Sequence, residues 1–166
     1  MNNSIERRQG GSELDGVLVS SGEIVIVQEE TVLAAVVARG VAVCIWDKNG
    51  VTAGMSHFTK PSIYDSKQAT GQYGNVSVLT LMRMLKDRAP NGCFEAQVFG
   101  GALKHDGESI GAENVDIAKR ILKSREIPVV SEDIGGNKGR KILFYSSSGH
   151  TVVLKVHNLR KDDWND

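Results

Sequence analysis

The hydrophobic and polar pattern of the chain is organised around residues 32–62, which read VLAAVVARGVAVCIWDKNGVTAGMSHFTKPS. Val41, Ala42, Val43, Cys44, Ile45 and Trp46 form a continuous apolar run with β-branched members. Such a run predicts a strand buried on both faces. Asp47-Lys48-Asn49-Gly50 follows with Asn-Gly at its centre, so the next segment is predicted to return antiparallel as a hairpin. That segment ends at Met55-Ser56-His57-Phe58, and Pro61 closes it, since proline cannot donate to a central ladder. Pairing of this kind brings the break at Ala38-Arg39-Gly40 close to the His57 end of the returning strand.

The same reading, continued outward, gives the remaining elements. Val17 to Ser20 and Glu23 to Val27 predict two short strands. A helix is predicted over 76–86, with Val78, Leu79, Met82 and Leu85 on its apolar face, Asn75 as its cap and Pro90-Asn91-Gly92 as its stop. Phe94 to Phe99 alternates as a strand and ends in Gly100-Gly101, a pair that permits positive φ or close backbone approach. A second helix runs from Ile110 to about Ser124, with Val115, Ala118, Ile121 and Leu122 inward and Lys119, Arg120 and Lys123 outward. Lys141 to Tyr145 and Thr151 to Val156 make a closing hairpin over Ser146 to Gly149. Residues 1–16 are expected to be a flexible N-terminal segment, 17–157 the folded domain, and 158–166 a polar tail in which Trp164 stands isolated. Strands interrupted by only two clear helices predict an α+β layered domain rather than a doubly wound sheet.

Composition narrows the function classes. A length of 166 residues suits one domain with one sizeable core. Twenty basic and twenty acidic residues cancel, which gives no electrostatic footprint for nucleic acid. No apolar run reaches the roughly 20 residues that span a bilayer, so membrane insertion is not expected. Cys44 and Cys93 lack metal-ligand spacing, and His57, His105, His150 and His157 form no metal motif. No cofactor and no metal are expected, and the location is expected to be cytoplasmic.

The ordered set of short motifs resembles the CheD family, the chemoreceptor glutamine deamidases of bacterial and archaeal chemotaxis. The family reads T-T-L-G-S-C-V-A-V-C before its hairpin turn and G-G-M-N-H-F-x-L-P after it. This chain has Val41-Ala42-Val43-Cys44 before the turn and Gly54-Met55-Ser56-His57-Phe58 with Pro61 after it. Gly22-Glu23-Ile24, Val98-Phe99-Gly100-Gly101-Ala102, Ile110-Gly111 with Asn114-Val115, Ile127-Pro128 with Asp133-Ile134-Gly135-Gly136, and Gly139-Arg140 with Phe144 match further family landmarks. The resemblance covers about residues 22–156. It implies a single-domain layered α/β/β sandwich, and hydrolysis of glutamine side-chain amides on chemoreceptors. The partners it implies are chemoreceptor cytoplasmic helices and a CheC-type phosphatase.

A nucleophile on a backbone break, faced by a histidine, is how a cysteine hydrolase is built. Aligned on the resemblance, the family's catalytic cysteine falls on Gly40, its histidine on His57 and its assisting threonine on Ala34. Two of the three groups are therefore absent. Cys44 is the obvious substitute nucleophile, but four residues along a strand put it roughly 13 Å from Gly40, and it also reads as a small buried hydrophobe. Cys93 follows a helix-ending loop with nothing to activate it, and Ser56 and Ser62 flank His57 in sequence only. Two functions follow: a non-catalytic CheD-like binding protein, or an amide hydrolase with a relocated nucleophile such as Cys44. A shallow open depression is expected around Gly40, His57 and Ala34.

Overall fold

A computed structural model describes residues 16–104, 107–157, 160 and 162–166. Nearly all of the expected N-terminal segment, residues 1–15, lies outside the described residues. Strand β1 (Val17–Leu18) and strand β2 (Ile24–Val27) lead into β3 (Val32–Val37), and β4 (Val41–Asp47) and β5 (Ala53–Phe58) form the predicted hairpin. Helix α1 (Gly74–Arg88), strand β6 (Phe94–Gly100) and helix α2 (Ile110–Ser124) follow. Strands β7 (Val129–Ile134), β8 (Gly139–Tyr145) and β9 (His150–Val156) come next, followed by a 3-10 turn at Asp162–Asn165.

The strands make two sheets, in the orders β1-β3-β8-β9 and β2-β5-β4-β6-β7. Among the described strands, β1 with β3 and β6 with β7 pair in parallel, and the other strand pairs are antiparallel. Alternation along β4 explains the layering, because successive side chains on a strand leave opposite faces. Val41, Val43 and Ile45 join Phe58, Leu81, Leu85, Val115 and Leu122 in a core under the two helices. Ala42, Cys44 and Trp46 join Leu33, Ala35, Val37, Met55, Phe99, Ile142 and Phe144 in a second core between the sheets. The order is helices, five-stranded sheet, four-stranded sheet: an α+β, layered α/β/β sandwich, with the continuous apolar run of β4 at its centre.

Local departures have local causes. Asn75 does not cap α1; Tyr73 holds that position without a side-chain bond. The Asn75 amide instead accepts from Ile63 N–H (3.1 Å) and donates to Ile63 C=O (2.7 Å), fastening the loop after Pro61. Leu79 is more than a third exposed, and Ser77 and Leu81 are buried in its place. A cap is worth about 1 kcal/mol, against about 1.5–3 kcal/mol for each large apolar side chain fully buried. Core packing sets which face of α1 turns inward. The glycine pair serves both expected uses: Gly100 and Gly101 have φ of 115° and 69°, and a side chain at Gly100 would collide with the Gly40 carbonyl oxygen. At the sheet ends, buried Arg140 of β8 reaches Asp133 of β7 (2.9 Å) and Gly135 C=O (2.7 Å), tying one sheet to the other.

Candidate functional site

The break between β3 and β4 carries the chain from one sheet to the other. Its carbonyls are held from behind. Ala102 N–H donates to Ala38 C=O (2.7 Å), Gly101 N–H to Gly40 C=O (2.9 Å), and the Asn114 amide to Arg39 C=O (3.0 Å). The same Asn114 nitrogen donates to Thr59 C=O (3.1 Å), linking the break to the exit of β5. With its carbonyls fixed toward β6 and α2, the break presents the N–H groups of Ala38 and Gly40 the other way. Both donate to the main-chain oxygen of Asp166, at 2.7 and 2.8 Å. Arg39 Nε donates to Trp164 C=O (2.8 Å), and its guanidinium pairs with Glu108.

Gly40 has no positive φ, so no backbone strain reserves the position for glycine. Space does. A Cβ there would lie 2.8 Å from Phe58 C=O, 2.9 Å from the Asp166 oxygen and closer still to the Asp166 carbonyl carbon. The expected open depression is therefore filled by the 162–166 segment. Trp164, isolated in the sequence, is half-buried against the domain.

His57 sits on β5 opposite Ala42, two residues beyond Gly40. Strand geometry puts Gly40 and His57 diagonally across the hairpin, Cα atoms about 7–8 Å apart. The imidazole is 2% exposed. Its Nδ1 lies 3.1 Å from Val19 C=O. A carbonyl can only accept, so Nδ1 carries the proton and Nε2 presents a lone pair. Among the described residues that lone pair has no partner. Burial pushes the His57 pKa down; the Val19 carbonyl and the charges of Asp166 and Glu23 pull the other way, less strongly. Burial thus favours the neutral ring, which holds Val19 C=O through Nδ1 and turns Nε2 inward as an acceptor.

Ala34 reaches this ring through the backbone. Val19 N–H donates to Ala34 C=O (2.7 Å), and Val19 C=O holds His57. Its methyl group points elsewhere: Leu33, Ala35 and Val37 enter the inter-sheet core, and alternation turns Ala34 to the opposite face of β3.

Cys44 lies as far along β4 from Ala42 as Gly40 does, on the opposite side, and it faces the same inter-sheet core. Its distance from Gly40 along the strand therefore does not separate it from His57; burial does. The thiol is fully buried, burial pushes its pKa far above the ordinary value, and no bond joins it to His57 Nε2. Cys93 is exposed. Ser56 is fully buried, its hydroxyl has no partner among the described residues, and it pairs with Val43 of β4.

Sequence reading missed four contributors: Val19, Asn114, Arg39 and Asp166. Asn114 had a visible signal, a polar residue set among the inward positions of α2. Val19 and Asp166 act through main-chain oxygens, which no side-chain identity encodes.

No described helix is long and apolar enough to cross a membrane. The family model for CheD chemotactic sensory transduction matches residues 59–155. That match starts just after His57, so it rests on α1, β6, α2 and the closing hairpin rather than on the break. Known relatives extend it. A probable chemoreceptor glutamine deamidase CheD 1 of Anaeromyxobacter dehalogenans (strain 2CP-C) is 32% identical over 152 residues, covering 89% of this chain and 88% of its own. The probable chemoreceptor glutamine deamidase CheD of Sulfurimonas denitrificans (strain ATCC 33889 / DSM 1251) is 29% identical over 153 residues, covering 87% of this chain and 96% of its own. With the layered fold, the landmark motifs and these matches in agreement, the chain belongs to the CheD family.

Proposed function

We propose that this chain binds chemoreceptor cytoplasmic segments through the CheD fold without deamidating them. The observation that carries the reading is at Gly40. The position aligned with the family nucleophile has no side chain, and the space one would need is occupied by Asp166. Amide hydrolysis of this type needs a thiolate to attack the carbonyl carbon and a histidine to manage the protons. His57 offers the base, with a bare acceptor nitrogen, but Gly40 offers no sulfur. Losing the nucleophile of a triad-type hydrolase costs on the order of a million-fold in rate. Cys44 does not replace it: a thiol held neutral by burial is a poor nucleophile. Relatives named as probable chemoreceptor glutamine deamidases support a chemoreceptor as the partner. A CheC-type phosphatase is the second partner that the family resemblance implies.

The test pairs a chemoreceptor cytoplasmic fragment with the purified chain. Titration calorimetry reads association, and mass spectrometry reads conversion of glutamine to glutamate. Association without conversion is expected. Conversion that Cys44→Ala abolishes would make Cys44 the nucleophile and overturn the reading; absence of association would remove its binding half.

A further inference from the structure

We infer that the break at residues 38–40 is a polypeptide-binding site that takes main-chain oxygens presented at and just after the end of a helical turn, and that its resident ligand is this chain's own 162–166 segment. The donors are built in advance. The carbonyls of Ala38, Arg39 and Gly40 are anchored by Ala102, Asn114 and Gly101, so the Ala38 and Gly40 N–H groups cannot swing away. They converge on one oxygen, that of Asp166. Buried N–H groups must find partners, and two that face the same way favour a single acceptor.

The ligand has matching chemistry. Asp162–Asn165 is one turn of 3-10 helix. The last carbonyls of any helical turn lack donors within the turn itself. Trp164 C=O is one such group here and the Asp166 oxygen follows directly after the turn; Arg39 Nε donates to the first and the Ala38/Gly40 pair to the second. Recognition runs through main-chain oxygens, so a partner needs acceptor oxygens exposed at and just after the end of a helical turn; here the half-buried Trp164 also holds the turn against the domain.

Glycine at 40 is the condition for this occupancy. The Asp166 carbonyl lies where a Cβ would be. A side chain at 40 and a docked segment exclude each other, so replacing the nucleophile and admitting the segment are one structural change. Because the segment is tethered, it competes at an effective concentration of order millimolar. An incoming partner binds only the fraction of molecules whose site is open, and its apparent affinity falls in proportion.

The inference deepens the binding reading and rests on it only for the identity of the competing partner. The measurement is amide hydrogen exchange at Ala38, by NMR, in the full chain and in full-length Gly40→Ala and Trp164→Ala. In the parent chain the Ala38 amide should be protected. In Gly40→Ala its exchange should rise by about tenfold or more, while the β4 amides of Val43 and Ile45 stay as slow as before. If Gly40→Ala loosens β4 as well, Trp164→Ala decides, since it leaves the crowding beside Phe58 untouched; there too Ala38 should exchange faster. A freely exchanging Ala38 in the parent, or unchanged protection in the deciding variant, overturns the inference. A chemoreceptor fragment that binds neither the parent nor the variants would remove the binding reading and leave the exchange result standing.

Discussion

Gly40 and Cys44 stand two residues to either side of Ala42, the residue opposite His57, yet they differ in the properties that chemistry needs. Gly40 lies at the end of the strand, where the chain changes sheets and another polypeptide segment can reach it. Cys44 lies in the middle, sealed between two sheets with Met55 and Gln97 as its cross-strand neighbours. The end has access and no sulfur, and the middle has sulfur and no access. A thiol near a histidine in sequence, or even on the same face of a hairpin, is therefore not a nucleophile until solvent and substrate can arrive.

The largest contrast should appear in thiol labelling. Cys93 should react with an aromatic disulfide reagent at the rate of an exposed thiol. Cys44 should wait for opening of the domain, slower by a factor of about five thousand or more if opening costs the usual 5 kcal/mol or more. Equal rates in the native chain would mean that the middle of β4 is not sealed.

Next in size is packing. Phe58 pairs with Val41 at the open end of the hairpin, and Ile45 lies in its sealed half; both are fully buried under the helices. Phe58→Ala should lower stability by about 3–5 kcal/mol and Ile45→Ala by about 2–5 kcal/mol in denaturant unfolding. A much smaller loss at Phe58 would mean that the open end is loosely held and that Gly40 is not rigidly presented.

Cys44→Ser should cost about 1–3 kcal/mol, since it buries a hydroxyl without a partner. Cys44→Ala should cost less, and neither variant should change association with a chemoreceptor fragment. A selective loss of association would show that the middle of β4 takes part in binding.

The smallest effect is one of pH. His57 is held neutral in the fold, so its folded pKa lies below the value near 6.5 of a free imidazole. Above that pH neither state binds a proton at this ring, and its full contribution is present. Below it the unfolded chain takes up a proton that the folded chain refuses, and stability falls as pH drops toward the folded pKa. The slope is at most about 1.4 kcal/mol per pH unit. Subtracting the curve of His57→Gln isolates the contribution; identical slopes would mean the ring is already hydrated.

Much of this was legible beforehand, for physical reasons. A strand covered on both faces needs apolar residues at every position, and Val41 to Trp46 advertises that. The hairpin turn, the glycine pair and α2 likewise follow from local chemistry. The inward face of α1 was harder to read because Val78, Leu79, Leu81, Met82, Met84 and Leu85 leave little polar contrast around the helix. Strand β7 went unread because Ser131, Glu132 and Asp133 are exposed or only half-covered at a sheet edge. Gly40, Ala34 and His57 could be named from the family resemblance. The filling of the crevice could not, because it depends on the Asp166 main-chain oxygen, a group that every residue possesses.

The anchoring of the break has a consequence for how the chain acquires its structure. Hairpin β4–β5 joins residues close in sequence and can form early. The partners that fix the break, Gly101, Ala102 and Asn114, lie roughly sixty to seventy-five residues further on. The sheet on the other side of the break closes only when β3 pairs with β8, Val32 against Tyr145. Such distant pairings carry a large loop-closure cost before they return any stability. On a ribosome the break would remain unformed until most of the domain had emerged, and its donors would be aligned among the last features of the fold.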